Sequence, residues 1–266
     1  MILSQDAAAR VEQVDIDYLE ARIVALAQVT GNPYGAAIRR AGSARAFMVQ
    51  AVPNPLFNHV MGLTANAVSE LPELAQWYAR HGKTTRVDVT PAQSSRELFT
   101  ALAGQGLSQS GFYAALYADA RPHAAREADG PIQVEPADPQ EFARIYVEGF
   151  GFPSAHCNAM AVSVQVLAGR ADVRFYRARI GASTAGVALL FLGENIGYLA
   201  TAATLPDYRG RGIQSALIRH RLYAADDAGC DLTAGHTAAG SVSQRAMERS
   251  GLRLAYTKAI WSTPVA

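Results

Sequence analysis

The sequence predicts an α/β protein, a mixed sheet with helices on both faces, arranged as two domains. Three observations carry that prediction. The chain has 266 residues, half of them apolar, which exceeds the usual size of a single domain. Stretches of period two, rich in β-branched and aromatic residues, alternate with stretches of helical period. Between residues 118 and 139 the periodicity is lost amid Pro122, Gly130, Pro131, Pro136 and Pro139, a composition that reads as a linker.

Taken in order, the first half shows helical spacing over 14–38, over 67–81 with Leu71, Leu74 and Tyr78 on one face, and over 94–104 with Ser94 as the N-cap. Strand patterns fall at 46–52, 59–63, 85–89 and 112–117. The second domain starts near Pro131. A helix over 139–150 is followed by a loop over 151–158 and helical spacing to about 167. Strands then follow at 173–179, 186–192 and 196–205, the last two joined by the turn Gly193-Glu194-Asn195. A helix over 212–228 stops at Gly229, a residue suited to the left-handed position past a helix end. A strand at 230–236, a helix at 241–250 and a strand at 252–261 close the chain. The halves end alike, with Leu98 leading to Gly106-Leu107 and Phe112, and Met247 leading to Gly251-Leu252 and Tyr256. That echo suggests a diverged internal repeat.

Composition narrows the function. Lys and Arg total 24 against 23 Asp and Glu, so no global field draws the chain to nucleic acid or to an anionic membrane, and any anion site must be local. Cys157 and Cys230 form neither a disulfide framework nor a metal-ligand spacing, and no metal site is expected. Residues 1–10 lack the basic start and apolar run of an export signal, and no apolar run reaches the length of a membrane span. The protein is expected to be soluble and cytoplasmic.

The most informative segment runs from Thr204 to Leu217, between a predicted strand and a predicted helix. Pro206 ends the strand by removing a backbone donor, while Gly210 and Gly212 allow angles and a close approach that a Cβ would forbid. The first N–H groups of a helix have no internal partner and carry about half a positive charge, so a glycine-rich turn entering a helix cradles a phosphate or diphosphate. Arg209 and Arg211 add permanent cations. The segment has neither the lysine of a Walker A loop nor the glycine spacing of a dinucleotide fold. An ordinary surface turn with solvated arginines is the plain alternative.

This turn resembles that of the GNAT-type N-acetyltransferases, whose diphosphate-binding pattern is [Q/R]-x-x-G-x-[G/A]. Arg209 and Gly212 fit it, and Gln214 stands where Gly or Ala is usual. The resemblance covers about 132–261 and extends to the order of elements. It implies tandem acyl-CoA N-acyltransferase-like domains: 1–125 as a degenerate copy without a cofactor site, since no Arg/Gly turn precedes its helix after Leu63, and 131–266 as the acetyl-CoA-binding domain. The implied co-substrate is acetyl-CoA, with no metal. Its diphosphate would lie on the amides of Arg209, Gly210, Arg211, Gly212, Ile213 and Gln214, and its pantetheine along the strand ending Ala203-Thr204-Leu205.

The implied reaction is direct transfer of the acetyl group to a primary amine. The acceptor would be a small molecule or a peptide; a homodimer is compatible with the chain, and neither nucleic acid nor membrane is expected as a partner. An amine with a pKa near ~10.4 must lose a proton before it attacks. His236, at the end of a strand beside the expected splay, and Glu194, in a hairpin turn, are the bases to consider, and His236 is better placed. Many members of this family protonate the departing thiolate with a tyrosine four residues before the Gly-[FL] stop, where this chain has Met247. Tyr256 or Tyr198 could substitute, and a thiol with a pKa of about 8.5 can also leave unaided. The absent tyrosine keeps a second reading open, that of a non-catalytic acyl-CoA-binding or sensing protein. Cys157 beside His156 invites a nucleophile–base reading, which neighbours in a loop rarely support. The stretch 148–158, with Phe150, Phe152 and His156, is expected to touch the acceptor.

Overall fold

The computed structural model describes residues 4–119 and 130–264. The first part of the chain forms helix α1 (Gln5–Ala27), strands β1 (Ala36–Ala41), β2 (Ala44–Val49) and β3 (His59–Met61), helix α2 (Leu71–Arg80), strand β4 (Arg86–Val89), helix α3 (Arg96–Gly104) and strand β5 (Ser108–Asp119). The second part forms β6 (Ile132–Pro136), α4 (Pro139–Phe150), α5 (Ser154–Gln165), β7 (Val173–Ile180), β8 (Ser183–Leu192), β9 (Ile196–Thr204), α6 (Ile213–Asp227), β10 (Leu232–Ala238), α7 (Val242–Arg249) and β11 (Arg253–Ser262).

Three elements differ from the sequence expectation. The helix expected over 14–38 starts earlier and stops at Ala27, because Gly31, Asn32 and Gly35 all take positive φ and Pro33 cannot extend a helix. The Asn32 side chain then accepts from the Ala36 amide at 2.9 Å and donates to the Ala36 carbonyl at 3.0 Å, which starts β1. Strand β6 lies inside the stretch read as a linker. It pairs antiparallel with β7 from Ile132↔Ile180 to Pro136↔Tyr176, and a proline at the tip of an edge strand costs no ladder bond. The rest of the expected linker, residues 120–129, lies outside the described residues. Part of the loop expected over 151–158 is the start of α5, so His156 and Cys157 sit on its first turn. Elsewhere local chemistry sets the ends as anticipated. Asp138 caps α4 by accepting from the Gln140 and Glu141 amides at 2.8 and 3.1 Å, and Gly151 terminates it at φ 65°. For α3 the cap is Ser95, one residue later than expected.

The chain divides into two compact units, each drawn from non-adjacent segments. One holds the described residues up to Tyr18 together with those of Ala115–Ala255; the other holds Leu19–Ala114 and the described residues from Tyr256 onward. Chain ends are thereby exchanged between the halves expected at 1–125 and 131–266. Within the first unit the strand order is β5-β10-β9-β8-β7-β6, with β10 parallel to β9 and the pairs from β9 to β6 antiparallel. Phe142, Val164, Val187, Leu189, Leu217 and Ala225 are fully buried in it. Within the second unit the order is β1-β2-β3-β4-β11-β5, and Val60, Leu71, Tyr78, Val87, Leu98 and Leu102 pack as its core. Each unit pairs strands in both parallel and antiparallel senses, as the α/β reading requires.

Candidate active site

The site is built on β9. Its ladder with β10 runs only from Leu232↔Ile196 to Ala234↔Tyr198, after which the two parallel strands part. On its other edge the register with β8 shifts between Leu190↔Leu199 and Ala188↔Ala202, so Ala200 and Thr201 bulge opposite Leu189. The bulge is clamped from inside by Arg221 of α6, whose side chain is wholly buried. Its Nη1 donates to the carbonyls of Leu189 at 3.0 Å and Ala200 at 3.3 Å, and its Nε donates to Leu217 at 3.1 Å. Burial lowers this guanidinium to about 9, still far enough above neutrality to keep it charged at pH 7.

Beyond the splay, Ala203, Thr204 and Leu205 lead through a short 3-10 turn at Pro206–Tyr208 into α6. Gly210 and Gly212 both adopt left-handed backbone, at φ 75° and 85°, as the turn required. Gly212 caps α6 without any side-chain acceptor, and the first turn, beginning Ile213-Gln214, carries no acidic residue. Residues 209–212 are exposed, and the first turn of α6 brings no carboxylate of its own to them. These features fit a diphosphate. The two arginines are used differently from each other. Arg209 donates Nη2 to the Gly149 carbonyl in the last turn of α4 at 2.7 Å, where the helix dipole is negative. Arg211 lies 5.5 Å over the Tyr208 ring and is solvent exposed. Gly149 lets α4 approach this strand, since a Cβ there would come within 2.9 Å of the Ala203 Cβ.

At the splay the first unit gathers side chains the sequence reading had kept apart. His236, two residues past the last paired position of β10, has its Nδ1 3.6 Å from Asp15 Oδ2, within ion-pair range and longer than a formed hydrogen bond. Asp15 accepts at 2.6 Å from the Tyr198 phenol, whose pKa is raised well above its usual value by burial and then by the Asp15 charge. The phenol therefore stays protonated as a donor. The Tyr198 ring lies 5.7 Å from the His236 ring and 5.5 Å from Tyr18, and the Tyr18 and Thr201 hydroxyls are 3.0 Å apart at the bulge. Donor atoms of Glu12, Asp15 and His236 lie within 4.8 Å of one another, a spacing that would also suit a cation. Tyr198 donates to Asp15, so this carboxylate is shared between a phenol and the imidazole.

The remaining sequence candidates are dispersed. Tyr256 is half-buried on β11 and belongs to the other compact unit. Glu194 is exposed at the opposite end of β9, lining a cleft of about 330 Å³ with Arg10, Gln13, Asp17 and Asp231. Met247 is 5% exposed and packs its methyl where a Cβ on Gly235 would stand, so it serves as filler. Cys157 places its thiol 3.5 Å from the carbonyls of Phe152 and Pro153. Phe150 and Phe152 stack at 5.2 Å, each edge-on to Tyr146, and Phe150 is 53% exposed. Asp15, Glu12 and Tyr18 were missed. Their signal was polar residues at spacing three on a helix face otherwise lined by Val11, Val14 and Leu19.

Residues 139–252 match the model of the Acetyltransferase (GNAT) family. Solved structures of similar fold include a GCN5-related N-acetyltransferase from Kribbella flavida, at 14% identity and TM-score 0.63 over 92% of this chain and 96% of that one. Another, from Sphaerobacter thermophilus, gives 14% identity and TM-score 0.60 over 83% and 76%. A tandem GNAT protein from the clavulanic acid biosynthesis pathway gives 14% identity and TM-score 0.55 over 100% and 98%. No curated protein matches the sequence. Residues 139–252 are thus a GNAT-family domain, and that family transfers an acyl group from acyl-CoA to an amine. Among the described residues no helix is long and apolar enough to cross a membrane.

Proposed function

We propose that the protein is an N-acetyltransferase that moves the acetyl group of acetyl-CoA directly to a primary amine. The observation that carries this reading is the uncapped, glycine-lined start of α6, exposed at the end of a strand that has parted from its neighbour. Its first-turn amides would receive the diphosphate. The free edge of β9 beyond Tyr198 offers N–H and C=O groups to the pantetheine amides, and one N–H there would polarise the thioester carbonyl.

In the reaction the amine nitrogen attacks the thioester carbon, the N–C bond forms, and the C–S bond breaks as the thiolate leaves. His236 takes the proton released by the nitrogen. With Met247 buried at the position where many relatives carry a tyrosine, the departing thiolate regains a proton from the imidazolium or from water, which its modest basicity permits. Acceptors would approach past Phe150, exposed, and Phe152, half-buried, whose stacked rings suit the carbon skeleton of a small molecule or peptide. The site is read as metal-independent and the protein as cytoplasmic, without nucleic-acid or membrane partners.

We read residues 1–125 as a degenerate copy of the same fold. In the corresponding place α2 is capped by Glu70, and Pro72 and Glu73 occupy its first turn, removing one donor and adding a negative charge where a diphosphate would need the reverse. The likeness over the full chain to a tandem GNAT protein supports this.

The test is calorimetry with acetyl-CoA on the wild type and on Arg209→Ala with Gly212→Val, followed by a panel of amines with thiol-release detection. The double variant should lose binding. It should also unfold slightly earlier, since Arg209 gives up its bond to Gly149 and a β-branched residue is strained at φ 85°. Unchanged affinity would remove the placement. Binding without turnover on any amine would favour an acyl-CoA sensor, the reading that Met247 keeps in play.

A further inference from the structure

We propose that Asp15, on α1 and outside the 139–252 domain, is a positioning residue that orients His236 and favours its protonated form as the amine gives up its proton. The inference rests on the reading of His236 as the base and adds what holds it.

The geometry is specific. Asp15 points one carboxylate oxygen at each of two partners: Oδ1 accepts from Tyr198 at 2.6 Å, and Oδ2 faces His236 Nδ1 at 3.6 Å. With Nδ1 turned to the carboxylate, Nε2 is the ring nitrogen left to receive the proton, and it lies buried beneath the surface. The side chain of His236 is only 5% exposed and that of Asp15 only 19%, so their attraction is poorly screened by water. The titratable groups gathered round the imidazole are Asp15 and Glu12 from α1, Tyr18 behind them, and Tyr198 from β9. Two are carboxylates and two are phenols, so the surroundings favour imidazolium over imidazole.

Placement of α1 is fixed by other bonds, which argues that Asp15 is held there. Arg10 pairs with Asp231, just before β10, and donates to the Asn195 carbonyl at 3.1 Å. One turn beyond Asp15, the Tyr18 hydroxyl meets Thr201 at 3.0 Å. The carboxylate thus arrives on a helix anchored before and after it.

The experiment uses the full chain with 15N-labelled histidine. The His236 ring signals, assigned by their loss in His236→Ala, are followed against pH by NMR in the wild type, Asp15→Asn and Asp15→Glu. Asparagine still accepts from Tyr198 but carries no charge. We expect Asp15→Asn to lower the His236 midpoint by about one unit, with Asp15→Glu restoring most of it. With an amine found by the thiol-release screen, kcat of Asp15→Asn should fall at least tenfold, its acidic limb should move down with the NMR midpoint, and acetyl-CoA affinity should be unchanged. A His236 midpoint and kcat equal to wild type in Asp15→Asn would overturn the proposal while leaving His236 as the base. Full transfer activity in His236→Ala would instead overturn the base itself, a separate outcome.

Discussion

Replacing Gly186 by alanine tests whether the start of α6 is held in place by the sheet beneath it. Gly186 lies on β8 opposite Thr204, and an added Cβ would stand 2.7 Å from the Ala203 carbonyl oxygen, 2.8 Å from the Ile213 Cγ2 and 3.3 Å from the Thr204 Cα. None of these can swing aside: two are backbone atoms of the splayed strand, and the third is a β-branched side chain on the first residue of α6. Restoring an ordinary contact of 3.4 Å from 2.7 Å demands a shift of 0.7 Å, being 3.4 − 2.7, between β8 and its neighbours. Overpacking of this kind costs about 1–3 kcal/mol, which in a chain of this size lowers the thermal midpoint by roughly 2–10 °C. Because the shift falls on the amides proposed to hold the diphosphate, acetyl-CoA affinity should drop about tenfold, a displacement of this size being enough to spoil aligned donors. Scanning calorimetry and titration calorimetry measure the two effects. Gly104→Ala serves as the control, since its Cβ would meet nothing within 4 Å, and it should leave affinity unaltered. A Gly186→Ala protein with wild-type midpoint and affinity would refute the idea that the β8–β9 contact fixes the cradle.

Two further outcomes follow from buried charges. Arg221→Met removes the donor shared by the Leu189 and Ala200 carbonyls, and urea unfolding should show a loss of about 2–4 kcal/mol; less than about 1 kcal/mol would mean the bulge holds itself. In the other unit, burial alone would raise the Asp88 carboxyl, but the charges of His59, Arg86 and Lys258 and the paired Arg86 bonds at 2.7 and 2.9 Å hold it below its usual value. A depressed folded value means the stabilisation is complete above the unfolded pKa of about 3.9 and is lost as pH falls through the folded one. The stability gap between wild type and Asp88→Asn should therefore be flat above about pH 5 and shrink below it, and a gap that widens towards acid would contradict the pairing.

What could be read in the sequence was what local chemistry decides. Gly210, Gly212 and Pro206 declare a turn whatever surrounds them, and Asp138 and Gly151 mark the two ends of α4 within the chain's own neighbourhood. The bulge left no such trace. Leu189, Ala200 and Thr201 look like any strand residues, and Arg221 reads as one more surface cation until Leu189 and Ala200 are seen to converge on it. Strand β1 was hidden because Ala36-Ala37-Ile38 suits a helix, although the breakers from Gly31 to Gly35 outweigh that preference. Asp15 was illegible for a third reason. Its partner His236 lies near the opposite end of the chain, and only topology brings them to one strand end.

The alanines of β9 acquire a purpose once the clamp and the splay are considered together. A strand edge released from pairing normally invites association with another chain, and the unmet backbone groups are costly if covered without partners. Here the edge is short, opening only after Tyr198, and it is followed by Ala200, Thr201, Ala202 and Ala203, small residues that leave the backbone approachable. Arg221 meets the Ala200 carbonyl from within, so the bulge is stabilised on its covered side while the outward groups stay open to a ligand. An extended polyamide such as pantetheine would complete the edge as a strand does, pairing with β9 where its ladder with β10 has ended. On this logic the opening is kept by the packing beneath it, and substitutions that relax that packing should weaken ligand binding even though they touch no ligand.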